Sequence, residues 1–237
     1  MTRSRSPQSR ATSAPRQARR ATAAFDPWSV WTAAERKILA TLTTPQKIQA
    51  FLDTVPYSDD PIYRCPRSVL RDRKAHCYDG ALFACAVLRL IGHPPIITDM
   101  LAERDDDHIL ALFQVDGHWG AIAKSNFSGL RFREPIHRSL RELVLTYFED
   151  YYNMDREKSL RGYTQPLDLR AYDTIHWMTE DKPMDLIAEK LDQIRKYRIL
   201  TPKMRRNLAP IDGRSYDAGM VGVNMAGVYF PPPKKKG

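Results

Sequence analysis

The segment from residue 78 to 91 constrains the fold most. Apolar side chains lie on nearly every side of the helix that it predicts, so we expect this helix to be buried rather than exposed along one face. Gly92 and Pro94-Pro95 follow it and predict where it ends. The apolar positions that carry this prediction are Ala81, Leu82, Phe83, Ala84, Cys85, Ala86, Val87, Leu88 and Leu90.

Three strands are predicted after this helix. Residues 96–101 favour a first strand, and residues 108–115 and 118–124 favour a hairpin around Asp116-Gly117, a dipeptide suited to a type I′ turn. A two-residue turn pairs Val115 with His118 and, further along, His108 with Ser125. Alternation then places one set of side chains on one face of the sheet, namely His108, Leu110, Leu112, Trp119, Ala121, Ala123 and Ser125.

Further elements are predicted on both sides of this region. Residues 32–42 favour a short helix, and Thr44-Pro45 reads as an N-cap followed by proline at the first helical position. Ser139 and Glu142 form a capping-box pattern before a helix with buried positions up to Tyr151. Residues 174–178 favour a strand and residues 183–198 an amphipathic helix.

The charge of the chain is concentrated at its two ends. The formal net charge is +9. Six arginines before residue 25 and the lysines 234–236 account for it, which leaves residues 25–233 with 28 basic and 28 acidic side chains. We therefore expect a disordered basic tail at 1–24, an α+β domain at 25–200 with its core at 65–153, and an irregular extension at 201–237. A neutral body argues against specific nucleic-acid binding.

Three features bear on the compartment. A stretch of about 18 consecutive apolar residues, as a membrane span requires, is not found. The N-terminus lacks the apolar segment of a secretory signal, and its arginine-rich, acid-free composition also describes a mitochondrial transit peptide. The three cysteines, Cys65, Cys77 and Cys85, do not suggest a disulfide framework. We expect a cytoplasmic protein, with a mitochondrial location as the alternative.

Cys77 and His108 are the candidate catalytic residues. Cys77 stands at the expected start of the apolar helix, where backbone N–H groups and the helix dipole favour a thiolate. His108, at the start of a predicted strand, is a candidate to pair with it as base. The hairpin register places Asp116 at the turn, about 25 Å from His108 at roughly 3.3 Å per residue. Asp116 therefore cannot orient the His108 imidazole. A third residue is expected to orient the His108 imidazole. The register puts Ser125 beside His108, whereas Asn126 has a side-chain carbonyl that can accept the imidazole N–H, and we predict Asn126.

These residues resemble the transglutaminase-like superfamily. The resemblance rests on Cys77 followed by Ala81-Leu82, on Gly92 and Pro94 before a strand, on His108, and on Gly117 and Trp119 in the return strand. It implies a papain-like α+β fold in which a buried helix carrying the nucleophile packs on an antiparallel sheet. It also implies cysteine-dependent acyl transfer or hydrolysis on amide bonds of peptides or proteins, with Cys77 as nucleophile and His108 as base.

The chain departs from the family pattern at two positions. Ala123 stands where the family commonly has an aspartate, and Leu110 stands where it has an aromatic residue. A catalytically inactive member of the fold, acting as a binding or scaffold module, is therefore the alternative function. The two functions differ in whether Cys77 reacts below the ordinary thiol pKa.

We expect neither a cofactor nor a metal ion. Asp105, Asp106, Asp107 and His108 have the residue types of a metal site. Consecutive residues of an extended segment point in opposite directions, however, so these four side chains cannot all face one ion. Phosphate-loop, dinucleotide and zinc patterns are not found in the sequence.

Overall fold

The structure is a computed structural model that describes residues 25–233. The predicted disordered tail at 1–24 and the lysines 234–236 lie outside these residues. None of the helices in the described part is long and apolar enough to cross a membrane. The α-helices are α1 Ala33–Leu39, α2 Pro45–Asp53, α3 Pro66–Asp72, α4 Cys77–Leu90, α5 Leu140–Leu145, α6 Met184–Gln193, α7 Pro202–Arg206 and α8 Gly213–Gly219, with 3₁₀ helices at Ser128–Leu130, Leu169–Ile175 and Met225–Gly227.

Seven strands form one antiparallel sheet. Its order is β4-β3-β2-β1-β5-β7, and β6 also pairs with β1. The sheet and the helices make a mixed α+β fold, as the sequence predicted. The strands are β1 Ile96–Ala102, β2 His108–Val115, β3 His118–Ile122, β4 Arg133–His137, β5 Leu160–Thr164, β6 Leu167–Asp168 and β7 Lys196–Arg198.

The hairpin of β2 and β3 has the predicted turn and register. Val115 pairs with His118 and Ala111 with Ile122. Asp116 and Gly117 have φ values of 49° and 76°, the positive values that a type I′ turn requires. Strand β3 ends at Ile122, however, so the predicted pairing of His108 with Ser125 is not part of the ladder.

Two predictions about the later elements are wrong. Residues 174–178 were predicted as a strand, but Leu169–Ile175 is a 3₁₀ helix that ends in a turn. The helix predicted at 183–198 ends at Gln193, and Lys196–Arg198 forms β7. Tyr197 of β7 pairs with Tyr163 of β5 across the sheet. This long-range pairing outweighs the local helical pattern, which is the usual limit of propensity-based prediction.

The sheet separates two apolar cores. Helix α4 lies on one face, where it packs with α2, α3 and α6 against Ile109, Ala111 and Phe113 of β2. On the other face, Leu110 and Leu112 pack against α5 and the residues after it. Helix α5 is shorter than predicted, yet the positions beyond it that we expected to be buried, Tyr147 and Tyr151, are buried in this second core.

Candidate active site

Cys77 is the first residue of α4, and the helix start is fixed by its neighbours. His76 is the N-cap, and its Nδ1 accepts the Tyr78 N–H at 3.2 Å. The buried Asp79 carboxylate accepts the His76 N–H at 3.3 Å and the Arg64 N–H at 2.8 Å. These bonds satisfy backbone donors that a helix start leaves free, so the direction in which Cys77 enters the site is set by α4 itself.

The Cys77 thiol lies against the start of β2. Strand β3 pairs with β2 only from Ala111 onward, so the first residues of β2 have no partner strand on that side. The thiol lies 3.9 Å from the Asp107 carbonyl oxygen and accepts the Ile109 N–H. These two backbone partners flank His108, and the thiol also forms a hydrogen bond with the Tyr57 hydroxyl.

Burial raises the pKa of the Cys77 thiol to about 12. Nearby carboxyl groups act in the same direction, whereas the Ile109 N–H opposes the shift. The sequence predicted a thiolate favoured by the helix start, and in this respect the structure differs. Burial of the sulfur therefore opposes the thiolate that the start of the helix was predicted to favour.

His108 is the first residue of β2 and is buried. Its Nε2 lies 2.8 Å from the Leu130 carbonyl oxygen. Because a carbonyl oxygen can only accept, Nε2 carries the proton and Nδ1 carries the lone pair of the neutral ring. Burial lowers the pKa of His108 to about 4, which keeps the ring neutral.

Cys77 and His108 line the same cavity at the end of the sheet. Alternation places the His108 side chain on the same face as Leu110 and Leu112, as predicted, whereas α4 packs on the opposite face. Both residues nevertheless line one small cavity of about 40 Å³, where the strand ends and the two faces join. The other residues around this cavity are Tyr57, Asp105, Asp106, Asp107, Ser125, Asn126, Phe127, Leu130, Tyr151, Tyr152, Gly227 and Tyr229.

The two candidates for the third member, Ser125 and Asn126, also line this cavity. Ser125 Oγ accepts the Phe127 N–H at 3.0 Å. The Asn126 amide binds the backbone of Asn224 and Gly227, while the acceptor at His108 Nε2 is the Leu130 carbonyl. That Asn126 orients the imidazole stays a prediction; in the state described here its hydrogen bonds are made elsewhere.

Tyr57 is a site residue that the sequence did not suggest. A short parallel bridge joins Tyr57 to Ala75, and this bridge brings the Tyr57 side chain beside Cys77. The Cys77 backbone N–H donates toward the Tyr57 hydroxyl, and burial raises the pKa of the phenol. Tyr57 lies in a loop rich in Asp, Ser and Pro, and a bridge between two loops has no periodicity that would have revealed it.

The acidic segment before His108 is tied to the protein backbone. Asp107 Oδ1 accepts the Ala102 N–H at 2.6 Å, and Asp105 Oδ2 accepts the Ser159 hydroxyl at 2.5 Å. Burial raises the pKa of Asp105 to about 7. Within residues 25–233, His, Cys, Asp and Glu side chains do not form a group of three or more suited to a metal ion.

Comparisons with known proteins add little. Protein-family models do not match the chain, and neither do the curated proteins. Among solved structures, LapG from Legionella pneumophila, EGTA-treated, is 16% identical with a TM-score of 0.31, over 41% of this chain and 65% of that chain. A second LapG structure is 14% identical with a TM-score of 0.30, over 50% of this chain and 91% of that chain. Likenesses this distant carry no argument about fold or activity.

Proposed function

We propose that the cavity lined by Cys77 and His108 is the active site of cysteine-dependent acyl transfer or hydrolysis on peptide amides. The observation that carries this proposal is the hydrogen bond from His108 Nε2 to the Leu130 carbonyl. It leaves the lone pair on Nδ1, in a cavity that the Cys77 thiol shares. The Leu130 carbonyl thereby takes the role that Asn126 or Ser125 was expected to fill.

The chemistry proceeds in two steps. The Cys77 S–H bond breaks, its proton passes to His108 Nδ1, and the sulfur bonds to the substrate carbonyl carbon. The imidazolium then protonates the leaving amine as the C–N bond breaks, which leaves a thioester. Water or an acceptor amine attacks the thioester and restores the thiol. The Cys77 N–H and the Tyr57 hydroxyl are placed to stabilise the oxyanion of the tetrahedral intermediate.

The structure describes a resting form of this pair. A proton moves very unfavourably from a thiol of pKa about 12 to an imidazole of pKa about 4. Burial is the largest cause of both shifts. Access of water to the cavity would reduce that burial, which lowers the thiol pKa and raises the imidazole pKa.

The test replaces each cysteine in turn. Hydrolysis of fluorescein-labelled casein is measured for the full chain and for the variants Cys77→Ala and Cys85→Ala. We expect Cys77→Ala to lower kcat/KM at least 1,000-fold. The Cys85→Ala variant is the matched control, because Cys85 is buried in the middle of α4, and we expect its activity to stay within a few-fold. Equal activity of Cys77→Ala and wild type contradicts the proposal.

A second candidate is a binding module without catalysis. It is favoured by the same pKa values, which describe a protonated thiol and a neutral ring with no ion pair between them. The two candidates differ in the reactivity of Cys77 toward iodoacetamide after the cavity has been opened. A thiol that reacts only at or above the ordinary thiol pKa of about 8.5, mapped by mass spectrometry, supports the binding module; reaction well below that pKa supports the enzyme.

A further inference from the structure

The Asn126 side chain holds a segment near the C-terminus by its backbone. Asn126 Oδ1 accepts the Asn224 N–H at 2.9 Å, and its Nδ2 donates to the Asn224 carbonyl at 2.8 Å. The same Nδ2 lies 3.3 Å from the Gly227 carbonyl oxygen. An amide that both donates to and accepts from one residue's main chain recognises peptide backbone without regard to side chains.

This segment enters the cavity that holds Cys77 and His108. Gly227 and Tyr229 are among the cavity-lining residues. A Cβ atom on Gly227 would lie 2.9 Å from Cδ1 of Tyr57, so only glycine fits against that ring without displacing it. Tyr57 in turn contacts the Cys77 amide through its hydroxyl. A chain of contacts thus joins the segment to the nucleophile.

The segment is weakly held compared with the rest of the protein. Its large apolar side chains are mostly exposed: Val221 is 74%, Met225 49% and Phe230 61% exposed. Beyond Tyr229, the Pro232 carbonyl accepts a hydrogen bond from Arg104 at 3.0 Å. A segment fixed by a few backbone hydrogen bonds and little apolar burial opens at a small fraction of the global unfolding free energy.

We propose that residues 224–229 occupy the position of a peptide substrate, and that Asn126 is the residue that holds the substrate backbone. The proposal rests on the function proposed above and deepens it. The substrate class is a peptide that presents its backbone in a turn, as the 3₁₀ helix Met225–Gly227 does, with a glycine facing the Tyr57 ring. Because substrate and segment compete for the same groups, the segment inhibits the free chain competitively: it slows casein hydrolysis by the full chain and leaves before substrate binds.

The first experiment removes the segment. One variant ends after Met220, which keeps α8, and a control variant ends after Pro233, which removes the basic tail and keeps residues 224–229 and the Pro232 carbonyl that binds Arg104. Labelling of Cys77 by iodoacetamide at pH 7.5 is followed by mass spectrometry. We expect the shorter variant to label at least 10-fold faster than the full chain, and the control to label at the rate of the full chain.

The second experiment does not depend on how the truncated chain folds. In the full chain, Gly227→Val places a branched side chain against Tyr57 and is expected to release the segment and speed Cys77 labelling several-fold. Its matched control is Ala226→Val, which makes the same kind of change at an exposed neighbour. Equal labelling of Gly227→Val, Ala226→Val and wild type overturns the proposal.

The third experiment tests Asn126. A synthetic peptide of residues 222–230 is added to the chain that ends after Met220, and it is expected to protect Cys77 from labelling. The same peptide carrying Gly227→Val is the control and is expected to protect at least 10-fold more weakly. In the full chain, Asn126→Ala is expected to speed Cys77 labelling, because it frees the segment. In the shortened chain, the same substitution is expected to reduce protection of Cys77 by the peptide, because it weakens peptide binding.

Failure of this proposal is distinguishable from failure of the proposed function. If truncation speeds labelling and the peptide protects Cys77 but casein is not hydrolysed, the role of residues 224–229 is supported and the proposed enzymatic function is contradicted. If casein hydrolysis depends on Cys77 but neither truncation nor peptide changes labelling, the enzymatic function is supported and the role of residues 224–229 is overturned. In an active shortened chain, Asn126→Ala is expected to raise KM about 10-fold with little change in kcat, a split that a loss of folding would not give.

Discussion

Asp99 is a buried carboxyl that was not predicted from the sequence. It lies on β1 opposite Ile109, and its Oδ1 is buried without a hydrogen-bond partner among the described residues. Burial raises its pKa to about 8; Asp107 and Asp192 act in the same direction and Lys196 opposes them. Asp99 also contributes to the raised pKa of Cys77, so its protonation state bears on the site.

We expect Asp99 to make the protein less stable as pH rises. Its pKa in the folded protein lies above the ordinary value of about 3.9, so the folded state binds the proton more tightly than the unfolded state. Below about pH 4 both states are protonated and there is no effect. Between pH 4 and about 8 the free energy of unfolding falls, by an amount on the order of several kcal/mol.

The check is urea unfolding of the wild type and of Asp99→Asn at pH 5 and pH 8. The variant cannot ionise, so its advantage over the wild type should grow between these two pH values. The exposed Asp217→Asn is the control and should not change the pH dependence. A stability difference between the wild type and Asp99→Asn that is the same at both pH values contradicts the assignment.

At the scale of elements, α4 depends on a glycine inside the helix. A Cβ atom on Gly80 would overlap Cβ of Lys124, the residue by which the return strand leaves the hairpin. Lys124 is buried, and its ammonium donates to the carbonyls of Leu52 at 3.1 Å and Val55. Helix α4, the end of α2 and the segment after β3 therefore meet at one tight point next to Cys77.

Gly80→Ala is expected to destabilise the protein despite its helical position. Alanine in a helix interior gains about 0.5–1 kcal/mol over glycine. Overpacking a tight contact costs about 1–3 kcal/mol, and here the obstacle is the first side-chain carbon of a buried lysine rather than a flexible end. We expect a net loss of about 1–2 kcal/mol in urea unfolding. A more stable Gly80→Ala variant contradicts the close packing of α4 on Lys124.

The elements that the sequence predicted are those whose signals are local. The apolar run of α4, the Asp116-Gly117 turn and the Thr44-Pro45 start of α2 each lie within a few residues of the element that they specify. Strand β7 was missed because its pattern continues that of α6, and only its pairing with β5 makes it a strand.

At the scale of the molecule, one strand joins the two cores. Residues of β2 alternate between the core around α4 and the core around α5, so neither core is complete without the other. We expect Leu82→Ala in the first and Leu110→Ala in the second, both fully buried, to cost about 2–5 kcal/mol each. Calorimetry should show one transition for both variants; two separate transitions would contradict a single domain over residues 25–200.

Only part of the candidate site could be predicted from the sequence. Cys77 and His108 were predicted from a helix start and a strand start, and the structure brings both to one cavity. That Cys77 acts as a thiolate stays a prediction; burial, which depends on how residues far apart in sequence enclose the sulfur, raises the pKa of its thiol. The Leu130 carbonyl could not be predicted at all, since every residue has a carbonyl and only the fold decides which one meets Nε2.

The sequence by itself determined the central helix and the hairpin with its register, and it predicted Cys77 and His108, which line one cavity. These follow from apolar periodicity and turn chemistry, which act over a few residues. Tertiary structure alone decided the protonation of Cys77, the acceptor for His108 and the position of residues 224–229 beside Asn126. Burial and long-range hydrogen bonds set these properties, and both depend on contacts between segments as far apart as Asn126 and Asn224.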